Sequence, residues 1–215
     1  MGQMAKIEEF LRMSPVMPVV VIEDAASAPE LARALLRGGI RVIEVTLRTP
    51  AALRAIEAIT RAGTGICVGA GTVLSVSDLH AAAAAGAAFA ISPGSTQTLL
   101  AAGLVSSIPY LPAVASASEL MNGLAAGYHC FKFFPAGCAG GVAMLKSFAS
   151  PFPAARFCPT GGITQETVAS YLELPNVLCV GGTWLTPPDA LAAGDWARIE
   201  ALASKAAASR SAPTS

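Results

Sequence analysis

Short apolar runs alternate with longer amphipathic segments along most of the chain. The apolar runs are rich in Val, Ile and Phe, which is typical of strands buried on both faces. Each amphipathic segment has the spacing of a helix with one apolar face. The pattern predicts strands at residues 16–22, 42–47, 66–70, 89–92, 108–112, 129–134, 156–160 and 177–181, and helices at 28–37, 50–61, 75–85, 95–102, 117–126, 141–148, 165–171 and 196–208.

Eight strand–helix units in one chain favour a (β/α)8 TIM barrel, an α/β fold with parallel strands. A doubly wound open sheet is the alternative, but it does not need eight units. A further segment at residues 6–13 predicts an extra N-terminal helix that covers the bottom of the barrel. The chain has 215 residues and no evident linker. We therefore expect one domain over residues 1–215, with a frayed Ala/Ser/Pro-rich tail from about residue 206.

Composition excludes several classes of partner. Hydrophobic residues make up 53% of the chain and charged residues 13%, and fourteen basic side chains balance fourteen acidic ones. Without a basic excess there is no electrostatic case for nucleic acid or an anionic membrane as a partner. The apolar runs are too short to span a bilayer, and the N-terminus lacks the layout of a signal peptide. We expect a cytoplasmic protein.

Cysteine and histidine give no support for a metal site. The chain has five cysteines, an odd number without a Cys-x-x-Cys pair, and two histidines. No cluster of His, Cys and carboxylate occurs at metal-ligand spacing. The sequence therefore predicts neither a bound metal nor a cofactor.

Lys132 is the unusual residue of the sixth predicted strand, 129–134, which is otherwise apolar. A lysine in such a strand must be paired, neutral or chemically active, because a desolvated ammonium is unfavourable. A neutral lysine amine is a nucleophile toward carbonyl carbon, so Schiff-base chemistry is one interpretation. The other is a lysine that snorkels to water or pairs with a carboxylate.

Strand alternation indicates which side chains could surround Lys132. In the second predicted strand Glu44, Thr46 and Arg48 share one face, opposite an apolar face that suits packing on helices. Lys132 and Phe134 likewise share a face. If these faces point into the barrel mouth, Glu44 can act as a general base beside a guanidinium that grips a substrate carboxylate. An internal Glu44–Arg48 ion pair is the structural alternative.

Small and polar residues follow several of the predicted strands. Thr72 follows a Gly-Ala-Gly run, and Pro93 lies in Ser-Pro-Gly; either segment can line a pocket or simply turn the chain. Diglycines at 161–162 and 181–182 follow the last two predicted strands, each before a predicted helical turn. The loops after strands seven and eight are the usual phosphate site of barrel enzymes. We therefore expect a phosphate site there.

Six motifs together resemble the KDPG aldolase family, where KDPG is 2-keto-3-deoxy-6-phosphogluconate, including members that act on 4-hydroxy-2-oxoglutarate. They are EVTLRT (44–49), VGAGTVL (68–74), FAISPG (89–94), FKFFPA (131–136), RFCPTGGI (156–163) and VGGTWL (180–185). The motifs run from the second to the eighth predicted strand. The resemblance implies a class I, metal-free aldolase that forms a homotrimer.

The resemblance also implies roles for individual residues. Lys132 is the implied Schiff-base lysine and Glu44 the implied general acid/base. The implied substrate-binding residues for the pyruvate half and its carboxylate are Arg48, Thr72, Pro93, Phe134 and Thr160, and the implied phosphate-binding residues are Gly161, Gly162, Gly182 and Thr183. The implied reaction cleaves 2-keto-3-deoxy-6-phosphogluconate to pyruvate and glyceraldehyde 3-phosphate.

Other functions stay open at this stage. The substrate of such an aldolase could be 4-hydroxy-2-oxoglutarate or the 6-phosphogalactonate epimer. Residues 137–139 are Gly-Cys-Ala where the family's familiar form has an acidic residue soon after FFPA, and residues 113–115 are Ala-Val-Ala. Both departures bear on the preferred aldehyde. A non-catalytic phosphate-binding barrel is a further alternative. A metal-dependent epimerase would need His and Asp ligands that the sequence lacks.

Overall fold

The computed structural model describes residues 3–210, apart from the side chains of residues 4 and 210. The strands are β1 (Val16–Val20), β2 (Val42–Thr46), β3 (Cys67–Gly71), β4 (Ala90–Ile91), β5 (Tyr110–Leu111), β6 (Ala113–Val114), β7 (Cys130–Phe133), β8 (Arg156–Pro159) and β9 (Val180–Gly182). The helices are α1 (Gln3–Arg12), α2 (Ala28–Arg37), α3 (Ala52–Arg61), α4 (Val76–Ala84), α5 (Gln97–Val105), α6 (Ala117–Ala125), α7 (Gly141–Ala149), α8 (Val168–Leu172), α9 (Pro188–Ala193) and α10 (Trp196–Ala207).

All the paired strands are parallel. Six of them form a sheet in the order β5-β4-β3-β2-β1-β9, and three form a second sheet in the order β6-β7-β8. Isolated parallel bridges from Phe157 to Val177 and from Thr160 to Gly181 link β8 to the β9 segment. The predicted α/β class is confirmed: the parallel strands curl, and helices connect them.

Proline interrupts the strand that was predicted at residues 108–112. Pro112 lies between β5 and β6, and because it has no N–H it cannot donate to a neighbouring strand. Its carbonyl still accepts a hydrogen bond from Lys132 N at 2.9 Å, so the chain remains next to β7. The predicted strand was therefore near its right position, but two short strands replace it.

Two elements near the C-terminus differ from the sequence prediction. Helix α8 begins at Val168 instead of residue 165, because the segment before it forms a turn in which Thr164 N donates to Thr167 Oγ1 at 3.0 Å. Helix α9 was not predicted, although Pro188 in its first turn and Gly194 at its C-cap with φ of 63° are signals for such a helix. Helix α10 continues to Ala207 with Ala206 buried, and most of the tail that was expected to fray, residues 211–215, lies outside the described residues.

The strands bury apolar side chains on both faces. Ile43 and Val45 belong to a large cluster between the strands and the helices. Residues on the opposite face join Ile7 and Leu11 of α1 in a second, smaller cluster, which comprises Met17, Val42, Phe89, Ile91, Leu111, Cys130, Cys158, Leu178 and Cys179. Alternation therefore determines which side chains lie on the inner side of the curl.

Within residues 3–210, none of the helices is both long and apolar enough to cross a membrane.

Candidate active site

Lys132 lies on the inner face of the curled strands and is almost completely buried. Its side chain on β7 is held by Glu44 of β2: Nζ donates to Oε1 at 3.0 Å and to Oε2 at 3.2 Å. Lys132 is 5% exposed and Glu44 is 1% exposed. The Phe134 ring lies next to the ammonium, with its centroid 5.5 Å from Nζ. Lys132 therefore does not snorkel to water. It is paired with a carboxylate, and this pairing is compatible with Schiff-base chemistry.

The strand alternation that was read from the sequence places this pair correctly. Glu44 stands between outward-facing Ile43 and Val45, and Lys132 stands between outward-facing Phe131 and Phe133. The internal ion pair is formed by Glu44 with Lys132 and not with Arg48, so that alternative is wrong in its partner. Alternation along a strand predicts which side chains share the inner face. It does not predict whether Lys132 or Arg48 contacts the Glu44 carboxylate.

Thr46 shares the face of Glu44, but it has a structural contact. Its hydroxyl donates to the carbonyl of Val20 at 2.9 Å, and the residue is fully buried. This hydrogen bond joins β2 to β1 above Glu44. Thr46 therefore holds neighbouring strands together at the end where the site lies.

Arg48 and Thr72 form a second pair at the carboxyl ends of β2 and β3. Arg48 Nε donates to Thr72 Oγ1 at 3.3 Å, and Arg48 is exposed. Thr72 has φ of 58°, the left-handed region that a β-branched residue rarely adopts. Such strain, of order 1–3 kcal/mol, is concentrated at functional sites in proteins. The pair can present a guanidinium and a hydroxyl to one anionic group.

Pro93 is half-buried after β4. The serine before it, Ser92, is buried and shares a hydrogen bond of 2.6 Å with the hydroxyl of Tyr110. This hydrogen bond fixes the start of the turn that carries Pro93. No described contact joins Pro93 to Lys132.

The Gly161–Gly162 turn packs against the end of β7. Both glycines have positive φ, 96° and 76°, which other residues rarely adopt. Ala136 N donates to Thr160 O at 2.8 Å and Gly137 N donates to Gly161 O at 2.9 Å. A Cβ on Gly161 would lie 3.2 Å from the Phe134 ring. The turn is thus held directly beside the aromatic residue that contacts Lys132.

The second diglycine lies next to the first. The Thr160–Gly181 bridge brings the two loops together, with Thr160 and Gly182 buried and Thr183 exposed. The helices that follow begin only at Val168 and Pro188. Any anion at the diglycines would therefore be bound by loop amides and hydroxyls.

A cavity of about 1110 Å³ borders the same edge of the strands. Thr183 and Trp184 line it on one side, and Glu23 and Asp24 line it on the other. Lys132 and Glu44 do not line it. Its two carboxylates would repel a phosphate, which favours the Gly161–Gly162 side of Thr183 for an anion.

The structure also brings together Glu8, His129 and Cys130, whose potential ligand atoms lie within 4.8 Å of one another. The sequence did not reveal this group because Glu8 is distant along the chain. Glu8 already accepts from Arg12 at 2.7 Å. Burial, followed by the charge of Glu8, raises the pKa of the Cys130 thiol to about 12. Both features oppose metal binding at neutral pH.

A lysine amine that is buried beside a carboxylate can act as a nucleophile toward carbonyl carbon, which is the chemistry of Schiff-base enzymes. The family model described as KDPG and KHG aldolase matches residues 7–202. The chain therefore belongs to this family.

Curated relatives agree with that assignment. The chain is 52% identical to 2-dehydro-3-deoxy-phosphogluconate aldolase of Pseudoalteromonas atlantica over 201 residues, 94% of either protein. It is 50% identical to the KHG/KDPG aldolase of Escherichia coli K12 over 199 residues, 93% of either protein.

A solved structure agrees as well. The KDPG aldolase of Legionella pneumophila, crystallised with pyruvate captured as a covalent carbinolamine intermediate, superimposes with a TM-score of 0.91. The two chains are 50% identical, and the match covers 93% of this chain and 97% of that one.

Removing only Lys132 should destabilise the protein strongly, because it leaves the Glu44 carboxylate buried without a partner. We expect Lys132→Met to lower the free energy of unfolding by about 3–5 kcal/mol in urea denaturation at pH 7. The double variant Lys132→Met/Glu44→Gln should recover much of this loss.

The control for this experiment is an exposed ion pair. Arg61 pairs with Glu57 at 2.6 Å, with side chains 77% and 42% exposed. Arg61→Met should change the stability by less than about 1 kcal/mol. Equal effects of the Lys132 and Arg61 variants would contradict the account of the buried pair.

Proposed function

We propose that the chain is a class I aldolase that cleaves 2-dehydro-3-deoxy-6-phosphogluconate to pyruvate and glyceraldehyde 3-phosphate through a Schiff base on Lys132. The observation that carries the proposal is the buried Lys132 amine, placed between the Glu44 carboxylate and the Phe134 ring. The names of the curated relatives and the carbinolamine in the Legionella pneumophila enzyme support it.

Glu44 has two tasks in this mechanism. It first takes the proton that the Lys132 ammonium must lose, since both carboxylate oxygens already accept from Nζ. The free amine then attacks the C2 ketone of the substrate to give a carbinolamine. Protonated Glu44 returns its proton to the departing hydroxyl, so that water leaves, an iminium forms and Glu44 is a carboxylate again. Glu44 next removes the proton of the C4 hydroxyl, directly or through a water molecule.

The iminium makes cleavage of the C3–C4 bond possible. The electron pair of that bond moves into the iminium to form an enamine, while the C4 hydroxyl becomes the aldehyde of glyceraldehyde 3-phosphate. The enamine is then protonated at C3, and hydrolysis of the resulting iminium releases pyruvate and frees Lys132. The covalent bond divides one difficult step into easier ones.

The carboxylate of the keto acid is proposed to bind Arg48 and Thr72. Arg48 can approach a carboxylate with two N–H groups, and its contact with Thr72 holds the guanidinium at the end of β2. Pro93, Phe134 and Thr160 are proposed to complete the pocket for the pyruvate half. The Phe134 ring keeps water away from the amine, and the hydrogen-bonded turn of Ser92 positions Pro93.

The phosphate of the substrate is proposed to bind Gly161, Gly162, Gly182 and Thr183. Backbone N–H groups in a turn can point toward one anion, and Gly161 and Gly162 lie in such a turn beside the end of β7. The exposed hydroxyl of Thr183 adds a donor beside them. The bridge between Thr160 and Gly181 supports a site shared by both loops.

We infer that the two sheets together form one closed (β/α)8 barrel in which β5 and β6 are halves of a single barrel strand. Supporting features are the pairing of β9 with β1, the bridges from β8 to the β9 segment, and the single residue, Pro112, between β5 and β6. Helix α1 packs into the inner cluster and would close the bottom. A crystal structure with an open gap beside β5 would contradict this inference.

The enzyme is also proposed to work in the cytoplasm, where thiols stay reduced and phosphorylated sugar acids are available. Cys67, Cys130 and Cys138 are free thiols in the structure, which agrees with a reducing compartment. Recovery of the native protein from a secreted fraction would contradict this localisation.

A homotrimer is the proposed oligomeric state. Leu74, Val105 and Met121 are large apolar side chains at least 60% exposed in the single chain, so an assembly could cover some of them. Light scattering of the purified protein should give the mass of three chains. A mass of one chain at micromolar concentration would contradict the trimer.

The Schiff base can be tested by reduction. Treatment with pyruvate and borohydride should add one reduced pyruvyl group to the chain, and peptide mass spectrometry should place it on Lys132. Lys132→Arg should abolish both the adduct and cleavage. Lys146→Arg, which changes an exposed lysine of α7, should leave both unchanged. Trapping on any other lysine would contradict the proposal.

The phosphate site can be tested separately by comparing substrates with and without the 6-phosphate. We expect Thr183→Val to lower kcat/KM for the phosphorylated substrate roughly 10- to 100-fold, as for loss of a hydrogen bond to a charged group. The same variant should barely affect cleavage of 4-hydroxy-2-oxoglutarate, which has no phosphate. Equal losses of kcat/KM on both substrates would contradict the proposed phosphate site. If the wild-type protein instead prefers 4-hydroxy-2-oxoglutarate, that compound is favoured as the substrate.

A further inference from the structure

The inner face of the curled strands contains three glycines that each adjoin a larger side chain. A Cβ on Gly69 would overlap the ring of Phe89, and a Cβ on Gly71 would overlap the carboxylate of Glu44. On the other side of the curl, a Cβ on Gly181 would lie 2.8 Å from Cγ2 of Thr160 and closer still to its hydroxyl. Small and large side chains are therefore matched across neighbouring strands, as in the interiors of small barrels.

Gly71 stands out because its larger neighbour is the proposed acid/base. The Cβ that it lacks would lie 2.6 Å from both Cγ and Cδ of Glu44, and nearest of all to Oε1. Oε1 is also the oxygen that accepts from Lys132 Nζ at 3.0 Å. A side chain at position 71 would therefore fill the space in which the Glu44 carboxylate lies when it contacts Lys132.

Backbone conformation does not explain a glycine at position 71. Gly71 is a regular residue of β3, paired in register with Thr46, and its φ is not in the left-handed region. Alanine could adopt this backbone without strain. The requirement for glycine at this position is therefore one of space above the neighbouring strand.

We infer that Gly71 is a positioning residue for Glu44: the missing Cβ lets the carboxylate lie against β3 and reach Lys132. The inference rests on the proposed function, since it assigns Gly71 a part in that reaction through Glu44. A methyl group at this position would push the carboxylate toward a different rotamer. Because Glu44 is 1% exposed, it has little room in which to move and keep its contact with Nζ.

The neighbouring glycine on the same strand provides a matched control. Gly69→Ala also adds a methyl group to the inner face of β3, but it meets the rigid ring of buried Phe89. Overpacking against a ring should mainly lower stability. Gly71→Ala instead meets the Glu44 carboxylate, so it should lower activity as well as stability. We expect kcat/KM to fall roughly 10- to 100-fold in Gly71→Ala, the effect of about 1 Å of misplacement.

A double-mutant cycle with Glu44→Asp tests positioning directly. Aspartate is one methylene shorter and leaves part of the space beside Gly71 empty. In the wild-type background Glu44→Asp should lower kcat. In the Gly71→Ala background the same change should have a clearly smaller effect, because the methyl group fills the space that aspartate leaves. With Gly69→Ala the two effects should multiply.

Several outcomes would overturn the inference. One is that Gly71→Ala retains full activity. Another is that the losses of activity in Gly71→Ala and Glu44→Asp multiply, as is expected for Gly69→Ala. If Gly71→Ala alone does not fold, Lys132→Met/Glu44→Ala/Gly71→Ala should have the melting temperature of Lys132→Met/Glu44→Ala, since the overlapping atoms and the unpaired charge are both gone. A clearly lower melting temperature of the triple variant would also overturn the inference. Absence of a borohydride adduct on wild-type Lys132 would instead reject the proposed function itself.

Discussion

The buried contact between Lys132 and Glu44 is the interaction on which the arrangement of the site depends. Two charges out of water are tolerated only when each satisfies the other at short distance, and Nζ donates to both carboxylate oxygens. The strands must bring β2 and β7 face to face for this contact to form. The same contact places a proton acceptor directly beside Nζ, so a single proton transfer would make Lys132 a nucleophile. The geometry that stabilises the buried charges is therefore also the geometry that the reaction needs.

Other parts of the site surround this contact in a consistent order. Phe134 covers the amine and also packs beside Gly161, so the aromatic ring joins the lysine to the first diglycine turn. On the other side, Gly71 leaves the space in which Glu44 lies. Arg48 and Thr72 stand at the strand ends beyond it. A substrate anchored at both of its anionic ends would therefore span the buried pair.

The features that could be predicted from the sequence are those governed by local periodicity. Alternation predicted the inner face of Glu44 and Lys132, and the two diglycines marked the loops that follow the last two predicted strands. Three-dimensional distance could not be predicted in this way. Parity did not tell whether Lys132 or Arg48 would reach Glu44, and the grouping of Glu8 with His129 depends on how α1 packs. Pro112 is evident in the sequence. Whether it interrupts a strand depends on whether a neighbouring strand needs a backbone N–H donor at that position.

The central claim is that Lys132, assisted by Glu44, converts a 2-keto acid into an enamine. The most direct measurement follows exchange of the pyruvate methyl protons with D2O by NMR, because exchange requires the enamine but no aldehyde and no phosphate. The account predicts rapid exchange with the wild-type protein, none with Lys132→Arg, and much slower exchange with Glu44→Gln. Exchange that persists in Lys132→Arg at the wild-type rate would contradict it.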